Sequence, residues 1–358
     1  MVKALAFAVP GELTIPTGGY GYARRMIAEL KALGWDIHLL NLSIDFPWPT
    51  ELTRARANAM LAGVPGDWPL VIDGLAYGVL ADIAEKVGET HRLIALVHHP
   101  LALESGLAAE QSAVLHVSEE TALRFARHVI ASSCTTKRLL VSDFNVPAER
   151  VSVVSPGTDP CTARVRTQSA HVRLLAVGSV VPRKGYDLLV AALARLRDLP
   201  WTLLIVGDCS RSPEIVQQLE CDIARLNLRE RVVLRGAVSS DEIAPLYDAA
   251  DVFVLPSRYE GYGMAYAEAV AHGLPVIGTL AGAVPETVPE GAASWCLRTT
   301  SMRSLARFTA SSRAQPTVRS SRRARVPAGF HHGVSRARGS AKFLNGYEPV
   351  SRRMAELA

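Results

Sequence analysis

Two consecutive series of short Val/Ile/Leu/Ala runs, each run followed by a longer amphipathic stretch, constrain this chain more than any other feature. The first series places strands at Lys3–Val9, Asp36–Asn41, Leu70–Asp73, Leu93–Val97, Val129–Ala131 and Val151–Val154. Helical patterns lie between them, notably Gly21–Leu33, Ala76–Val87, Glu119–Arg127 and Thr135–Phe144. Runs of apolar residues without polar alternation are strands buried on both faces, which parallel sheets require and helical crossovers supply. Pro156-Gly157-Thr158-Asp159-Pro160 and a polar stretch to Ala170 then read as a linker. The second series has strands at Val172–Val177, Thr202–Val206, Val232–Arg235, Val252–Leu255 and Val276–Gly278. Its helices fall at Lys184–Leu196, Pro213–Leu226, Asp241–Ala249 and Met264–His272. The expected fold is therefore α/β: two Rossmann-like parallel-sheet domains, 1–160 and 170–291, facing each other across a cleft. A ligand belongs in that cleft, at the carboxyl ends of the strands.

Composition agrees with two domains and removes some functions. With 358 residues and 49% hydrophobic content there is material for two cores. The opening Met-Val-Lys-Ala-Leu-Ala-Phe-Ala-Val-Pro reads as a first buried strand, since it lacks the length and cleavage site of a leader. No apolar stretch is long enough to predict a membrane-spanning helix. The net charge of +5 comes from the end of the chain: residues 292–358 carry 13 Lys+Arg against two acids, leaving −6 on residues 1–291. The basic pI is thus no footprint of nucleic-acid binding. Cys134, Cys161, Cys209, Cys221 and Cys296 are scattered without C-x-x-C spacing, which predicts a reducing, cytoplasmic setting, no disulfide framework and no metal site.

Four segments at strand ends carry the chemistry. Gly178-Ser179-Val180-Val181-Pro182-Arg183-Lys184-Gly185 puts two cations where a loop enters a helix, suited to a diphosphate. In Pro256–Glu268, Gly261 and Gly263 let the backbone approach a ligand ahead of a helix whose free N–H groups, around Tyr262, Gly263, Met264 and Ala265, attract anions. Glu268, over one turn into that helix, can accept from two ribose hydroxyls, and Glu260, before it, can hold hydroxyls of a sugar. The bland alternative is a capped helix with acidic first-turn residues, but two carboxylates framing one glycine loop favour a site. In the first half, Pro16-Thr17-Gly18-Gly19-Tyr20-Gly21 joins the first strand to the first helix and fits a phosphate or sugar close to its backbone. It does not match G-x-G-x-x-G, and Asn41 and Ser43 stand where an adenosine-binding acid would follow the second strand. A dinucleotide cofactor is disfavoured, and no other cofactor is expected. Strand Leu93–Val97 runs into His98-His99-Pro100, which sets His98 at the cleft.

On these residues the chain resembles glycosyltransferase family 4, the retaining enzymes of GT-B fold. The likeness rests on Gly178–Gly185, Val206-Gly207-Asp208, Ala249–Ser257, and above all the Glu-x7-Glu spacing of Glu260 and Glu268 followed by Ala269–Ile277. With the first-half loop and His98 it covers roughly residues 1–291. The resemblance implies a nucleotide-sugar donor, UDP- or GDP-linked, and a saccharide, lipid-linked or small-molecule hydroxyl acceptor, without a metal ion. It assigns Arg183 and Lys184 to the donor diphosphate, with the N–H groups of Tyr262–Ala265 on the same phosphates and Glu268 on the ribose. Glu260 would meet the donor sugar. Gly18 and Gly19 would let the first-half loop approach the phosphates, and His98 would lie near the anomeric centre or the 6-hydroxyl. Acceptor choice is expected of the loops Ile44–Thr53 and Leu101–Ala109.

After Gly291 the pattern stops. Residues 294–340 are Arg/Ser-rich without one acid, and a terminal helix is expected only at 341–358. Written as codons and read one base out of phase, Ser294–Leu305 admits Leu-Val-Pro-Pro-Asp-Asp-Val-Asp-Ala-Leu, which the family would place here. We therefore hypothesise a frame slip near Ala293; resequencing that returns an intact frame, with no shifted relative, excludes it. The alternative function is a nucleotide-sugar-binding remnant without turnover, and a nucleotide-sugar epimerase is a third reading. Arg24, Arg25 and Lys31 on the first helix raise a peripheral contact with the inner face of the plasma membrane, against the plainer reading of a solvated face.

Overall fold

The two series form two six-stranded sheets in the computed structural model, which describes residues 3–15, 17–159, 161, 171–289 and 291–296. The first contains β1 (Lys3–Pro10), β2 (Trp35–Leu42), β3 (Pro69–Asp73), β4 (Arg92–Val97), β5 (His128–Ala131) and β6 (Val151–Val153), in the order β2-β1-β3-β4-β5-β6. Its connections carry α1 (Gly18–Ala32), α2 (Glu51–Ala62), the short α3 (Gly74–Tyr77), α4 (Ala81–Gly88), α5 (Ala109–Arg124) and α6 (Cys134–Ser142). Every strand pairing is parallel. Alternation along β1 divides the interior: Leu5, Phe7 and Val9 pack with Met26, Ile27 and Leu30 of α1. Ala6 and Ala8 face the opposite layer, with Leu61, Ile83 and Leu123.

The second sheet contains β7 (Val172–Val177), β8 (Trp201–Val206), β9 (Val232–Gly236), β10 (Val252–Leu255), β11 (Val276–Thr279) and β12 (Ala293–Cys296), in the order β12-β11-β10-β7-β8-β9. Its helices are α7 (Tyr186–Leu193), α8 (Pro213–Arg225), α9 (Ser240–Ala249), α10 (Met264–Ala271) and α11 (Val284–Thr287). Here too all pairings are parallel. The chain winds outward from β7 through β8 and β9, then crosses back to β10 on the other side of β7. That reversal opens a crevice between the ends of β7 and β10, where neither connection covers the sheet. The corresponding reversal in the first sheet lies between β1 and β3.

Some elements depart from the sequence reading for identifiable reasons. The helix expected over Ala76–Val87 is two, α3 and α4, parted at Gly78, where a β-carbon would stand 2.8 Å from Leu101 and 3.2 Å from Glu119. The helix expected from Glu119 starts at Ala109, where the Gln111 side chain accepts from Ala108 N at 3.0 Å. α2 begins inside the segment read as a loop: Thr50 caps it by accepting from Thr53 N at 3.1 Å, and only Thr53, Ala57 and Leu61 are buried along it. The segment Lys184–Leu196 breaks at Gly185, and α7 covers only its middle. The second sheet also continues past Gly291, since β12 pairs with β11 from Val276↔Ala293 to Thr279↔Cys296. The remainder of the Arg/Ser-rich segment and the helix expected at 341–358 lie outside the described residues. Among the described residues no helix is long and apolar enough to cross a membrane.

Candidate functional site

The two loops at the second sheet's reversal touch through their backbones. Gly185 has φ +70°, and a β-carbon there would lie 2.3 Å from Pro256 O, so both conformation and space require glycine. Arg258 N donates to Arg183 O at 2.7 Å, locking the loops together. This contact carries Arg183 and Lys184 to Glu260. Glu260, 5% exposed, accepts from Lys184 Nζ at 2.7 Å, Arg183 Nη1 at 3.1 Å and Ser257 Oγ at 2.6 Å. Burial alone would raise its pKa, but Lys184 and Arg183, with Ser257, outweigh it and hold the carboxyl at about 2. Arg183 also donates to Tyr259 O at 3.0 Å and, across the cleft, to Glu104 Oε1 at 3.1 Å. Glu104 in turn meets His99 Nε2 at 3.3 Å. Against the effect of burial, His99 and Arg183 bring Glu104 to about 2. Burial pulls the Lys184 ammonium down and Glu260 resists it.

α10 starts at Gly263, whose φ of +94° forms its N-cap. The N–H groups of Tyr262, Gly263, Met264 and Ala265 have no acceptor among the described residues, and the first turn holds no acid. α1 also starts without a first-turn acid, on Gly18 and Gly19, but its N-cap is the extended Thr17, whose Oγ1 accepts from Tyr20 N at 3.5 Å. The two helix ends meet: β-carbons on Gly18 and Gly21 would lie 3.3 Å and 3.9 Å from the Met264 side chain. Two positive dipole ends, one from each domain, therefore border one region. A β-carbon on Gly19 would lie 3.5 Å from His98 Nε2, which joins the imidazole to this region.

His98 Nε2 lies 3.1 Å from Asp73 Oδ2, while the other Asp73 oxygen accepts from Leu75 N at 2.9 Å and so fixes the carboxylate. Tyr22 meets the imidazole edge-on at 5.7 Å. Glu268 sits beyond the glycine loop, and its Oε2 accepts from the Tyr247 hydroxyl at 2.7 Å. Burial raises its pKa, and the Tyr247 hydrogen bond opposes the rise. The domains also join beside the site. Ser132 Oγ donates to His98 O at 2.7 Å and to Gly261 O at 3.2 Å. Glu286 Oε1 accepts from Cys134 N at 2.8 Å, and its Oε2 from Thr135 N at 3.1 Å.

The structure thus brings Gly18, Gly19, His98, Tyr262, Gly263, Met264 and Ala265 to one mouth, with Arg183, Lys184 and Glu260 in one ion cluster. Glu260, expected to meet a sugar, has both carboxylate oxygens engaged by that cluster. Asp73, Glu104, Tyr247 and Glu286 were not singled out from the sequence. Asp73 ends a strand as His98 follows one, so the same positional signal could have found it. Glu104 and Glu286 act across domains, which no local pattern reports. Two of the α1 cations are engaged by the chain itself: Arg24 donates to Ile15 O at 3.2 Å, and Arg25, on the surface, pairs with Asp159 at 2.9 Å. The described cysteines Cys134, Cys161, Cys209 and Cys221 are free thiols, and no three His, Cys, Asp or Glu side chains among the described residues converge as a metal-binding set.

Residues 171–310 match the family described as Glycosyl transferases group 1. The chain is 31% identical over 271 residues to an MMP alpha-(1->4)-mannosyltransferase of Mycolicibacterium hassiacum, spanning 71% of this chain and 63% of that one. It is 27% identical over 299 residues to a GDP-mannose-dependent alpha-(1-6)-phosphatidylinositol monomannoside mannosyltransferase of Mycolicibacterium smegmatis, covering 78% of this chain and 75% of the other. Other curated relatives are matched over 40 to 50% of their own length. In structure it superposes on a sucrose-phosphate synthase from Thermosynechococcus elongatus with a TM-score of 0.75, covering 99% of this chain and 98% of that one at 18% identity. The two facing parallel-sheet domains are the GT-B fold.

Proposed function

Because this chain carries a glycosyl transferases group 1 domain in a GT-B frame, we propose that it transfers a glycosyl residue from a nucleoside diphosphate sugar to a hydroxyl acceptor, with retention and without a metal ion. The observation that carries this reading is the meeting of the α1 and α10 N-termini at Gly18 and Met264, with the unbonded N–H groups of Tyr262–Ala265 and no first-turn acid in either helix. Such a place attracts an anion by its fixed dipoles. The donor diphosphate lies there, bonded to the N–H groups of Tyr262–Ala265 and approached by Gly18 and Gly19. Arg183 and Lys184 keep their charge and direction through Glu260 and Glu104, and each retains donors for a phosphate oxygen. An ammonium has three N–H groups and a guanidinium five, of which the described partners take only some.

In the reaction the bond from the anomeric carbon to the phosphate oxygen breaks, and its electron pair leaves with the diphosphate. The acceptor oxygen bonds to the anomeric carbon on the same face, and its proton passes to a leaving-phosphate oxygen. The developing charge on that phosphate is stabilised by groups already in place, which requires no reorganisation during the step. His98, held by Asp73, would orient the sugar or acceptor beside the reacting carbon. Donor choice between UDP and GDP sugars is left to experiment. The described thiols are unpaired, which supports a cytoplasmic setting. Arg24 is held by Ile15 O and Arg25 by Asp159, and these intramolecular partners give membrane contact no added support.

A thermal-shift screen of the full chain against UDP-, GDP- and ADP-sugars in EDTA tests the reading. A donor at a hundred times its dissociation constant adds about 2.7 kcal/mol of stability. One donor class should raise Tm and support transfer when acceptors are supplied. A cooperative melt that no donor moves refutes the reading. Donor binding without transfer or hydrolysis favours the binding-only alternative, which the Arg/Ser-rich composition after Gly291 keeps in view.

A further inference from the structure

α9 and α10 are tied together twice behind the proposed donor site. Tyr247, 1% exposed, donates its hydroxyl to Glu268 Oε2 at 2.7 Å, and Ala265 O lies 3.3 Å from the same hydroxyl. Its ring stacks on His272 with centroids 5.1 Å apart and planes 18° apart. His272 Nδ1 and Asp248 Oδ1, from the residue next to Tyr247, are separated by 2.8 Å. The phenol ring is therefore clamped, and the direction of its O–H fixes the carboxylate.

Packing alone does not call for that hydroxyl. A phenylalanine ring would fill the same volume without burying a polar group that must find a partner. The shorter of the hydroxyl's contacts to Glu268 and Ala265 goes to Glu268, and no described residue bonds the other carboxylate oxygen. A glutamate held at one oxygen on a short helix presents its second oxygen in a restricted arc. Without the phenol it would sample several rotamers.

We propose that Tyr247 is the positioning residue that aims Glu268 at the donor's ribose diol, and so makes the site selective for ribonucleotides. The proposal rests on the donor-site reading above, and its test separates the two. Binding of UDP and GDP, each beside its 2′,3′-dideoxy counterpart, is measured by calorimetry on the full chain, on Tyr247→Phe and on Glu268→Ala. For whichever nucleotide binds, Glu268→Ala should weaken the ribo form and leave the dideoxy form unchanged. Tyr247→Phe should reproduce that pattern with a loss of about three- to tenfold, the range for one hydrogen bond.

If Glu268→Ala shows the pattern and Tyr247→Phe does not, Tyr247 is only a core residue and the proposal fails while the donor-site reading stands. Equal weakening of ribo and dideoxy forms by Tyr247→Phe also overturns it, because a structural defect does not distinguish sugars. If Glu268→Ala leaves the ribo preference intact, the assignment of Glu268 fails and takes the proposal with it; if neither nucleotide binds the unaltered chain, the donor-site reading itself fails and the proposal falls with it. Should Tyr247→Phe not fold, Asp248→Asn, which loosens the clamp on the ring, decides: a reduced ribo preference supports the proposal and an unchanged one overturns it.

Discussion

Replacing Glu260 by glutamine removes one negative charge from a cluster in which Lys184 and Arg183 are nearly as buried as the carboxylate itself, with side chains 13%, 17% and 7% exposed. A carboxyl held at about 2 instead of its ordinary 4.5 is worth about 3 kcal/mol of folding stability at neutral pH. This agrees with the cost of about 3–5 kcal/mol for breaking a buried ion pair from one side. The sign follows from the depressed pKa: the contribution is complete above the unfolded value of 4.5 and disappears as pH falls through about 2. At pH 3 about 40% of it should remain. Urea unfolding followed by tryptophan fluorescence suits the test, since Trp201 is buried in the second domain's core. At pH 7 the Glu260→Gln midpoint should fall by about 1–2 M, given a urea dependence of about 2 kcal/mol per molar. At pH 3 the gap should close to about 40% of that. Equal destabilisation at both pH values would show that shape rather than charge is lost. A loss under about 0.5 kcal/mol at pH 7, the size of an exposed pair, would refute the buried cluster outright.

Three further substitutions probe other parts of the site. Gly261→Ala would put a β-carbon 2.1 Å from His98 O, so the domains must part there; we expect a large fall in kcat/KM with a small change in Tm, and normal turnover would refute the contact. Asp73→Asn removes the charge that holds His98, and transfer should fall at least tenfold while calorimetry finds donor binding little changed. Glu286→Gln weakens the acceptor of two α6 N–H groups, and at this exposed seam it should cost about 1 kcal/mol or less while broadening the particle in solution scattering.

The alternation of apolar runs made both sheets legible, because parallel strands buried on two faces cannot hide their hydrophobicity. It missed α2, whose only buried positions, Thr53, Ala57 and Leu61, include one polar residue and one small one, so its inward face has little contrast. Gly78 looked like a tolerated helix residue, and only the closeness of Leu101 and Glu119 shows why two helices stand there. The helix start at Gly263 and Met264, with Glu268 a turn in, was legible because glycine loops and helix starts are local features. The partnership of Glu260 with Arg183 and Lys184 was not. It joins residues 77 and 76 positions apart, and it depends on a strand order that the spacing of motifs does not contain. Tyr247 was not singled out, since its hydroxyl acquires meaning only when α10 is packed beside α9.

The charge arrangement in the cleft bears on how an anion is held. Arg183 and Lys184 face Glu260 and Glu104, so these four groups sum to no net charge when all are ionised. A diphosphate entering beside them meets no unbalanced cation, and the cluster contributes direction more than long-range attraction. The uncompensated positive potential comes from the N–H groups of Tyr262–Ala265 and the start of α1, where neither first turn has an acid. Those dipoles are fixed by the backbone and weaken beyond a turn of helix, so they act at contact. The two carboxylates have a corresponding role. They hold Arg183 and Lys184 charged and pointed while buried, where an unpaired lysine would tend to lose its proton. In the proposed reaction a leaving phosphate would then find hydrogen-bond donors already aimed as its charge grows. On the proposed function, Glu260 would serve the phosphate by way of the cations, and contact with the sugar would fall to groups of the first domain such as His98.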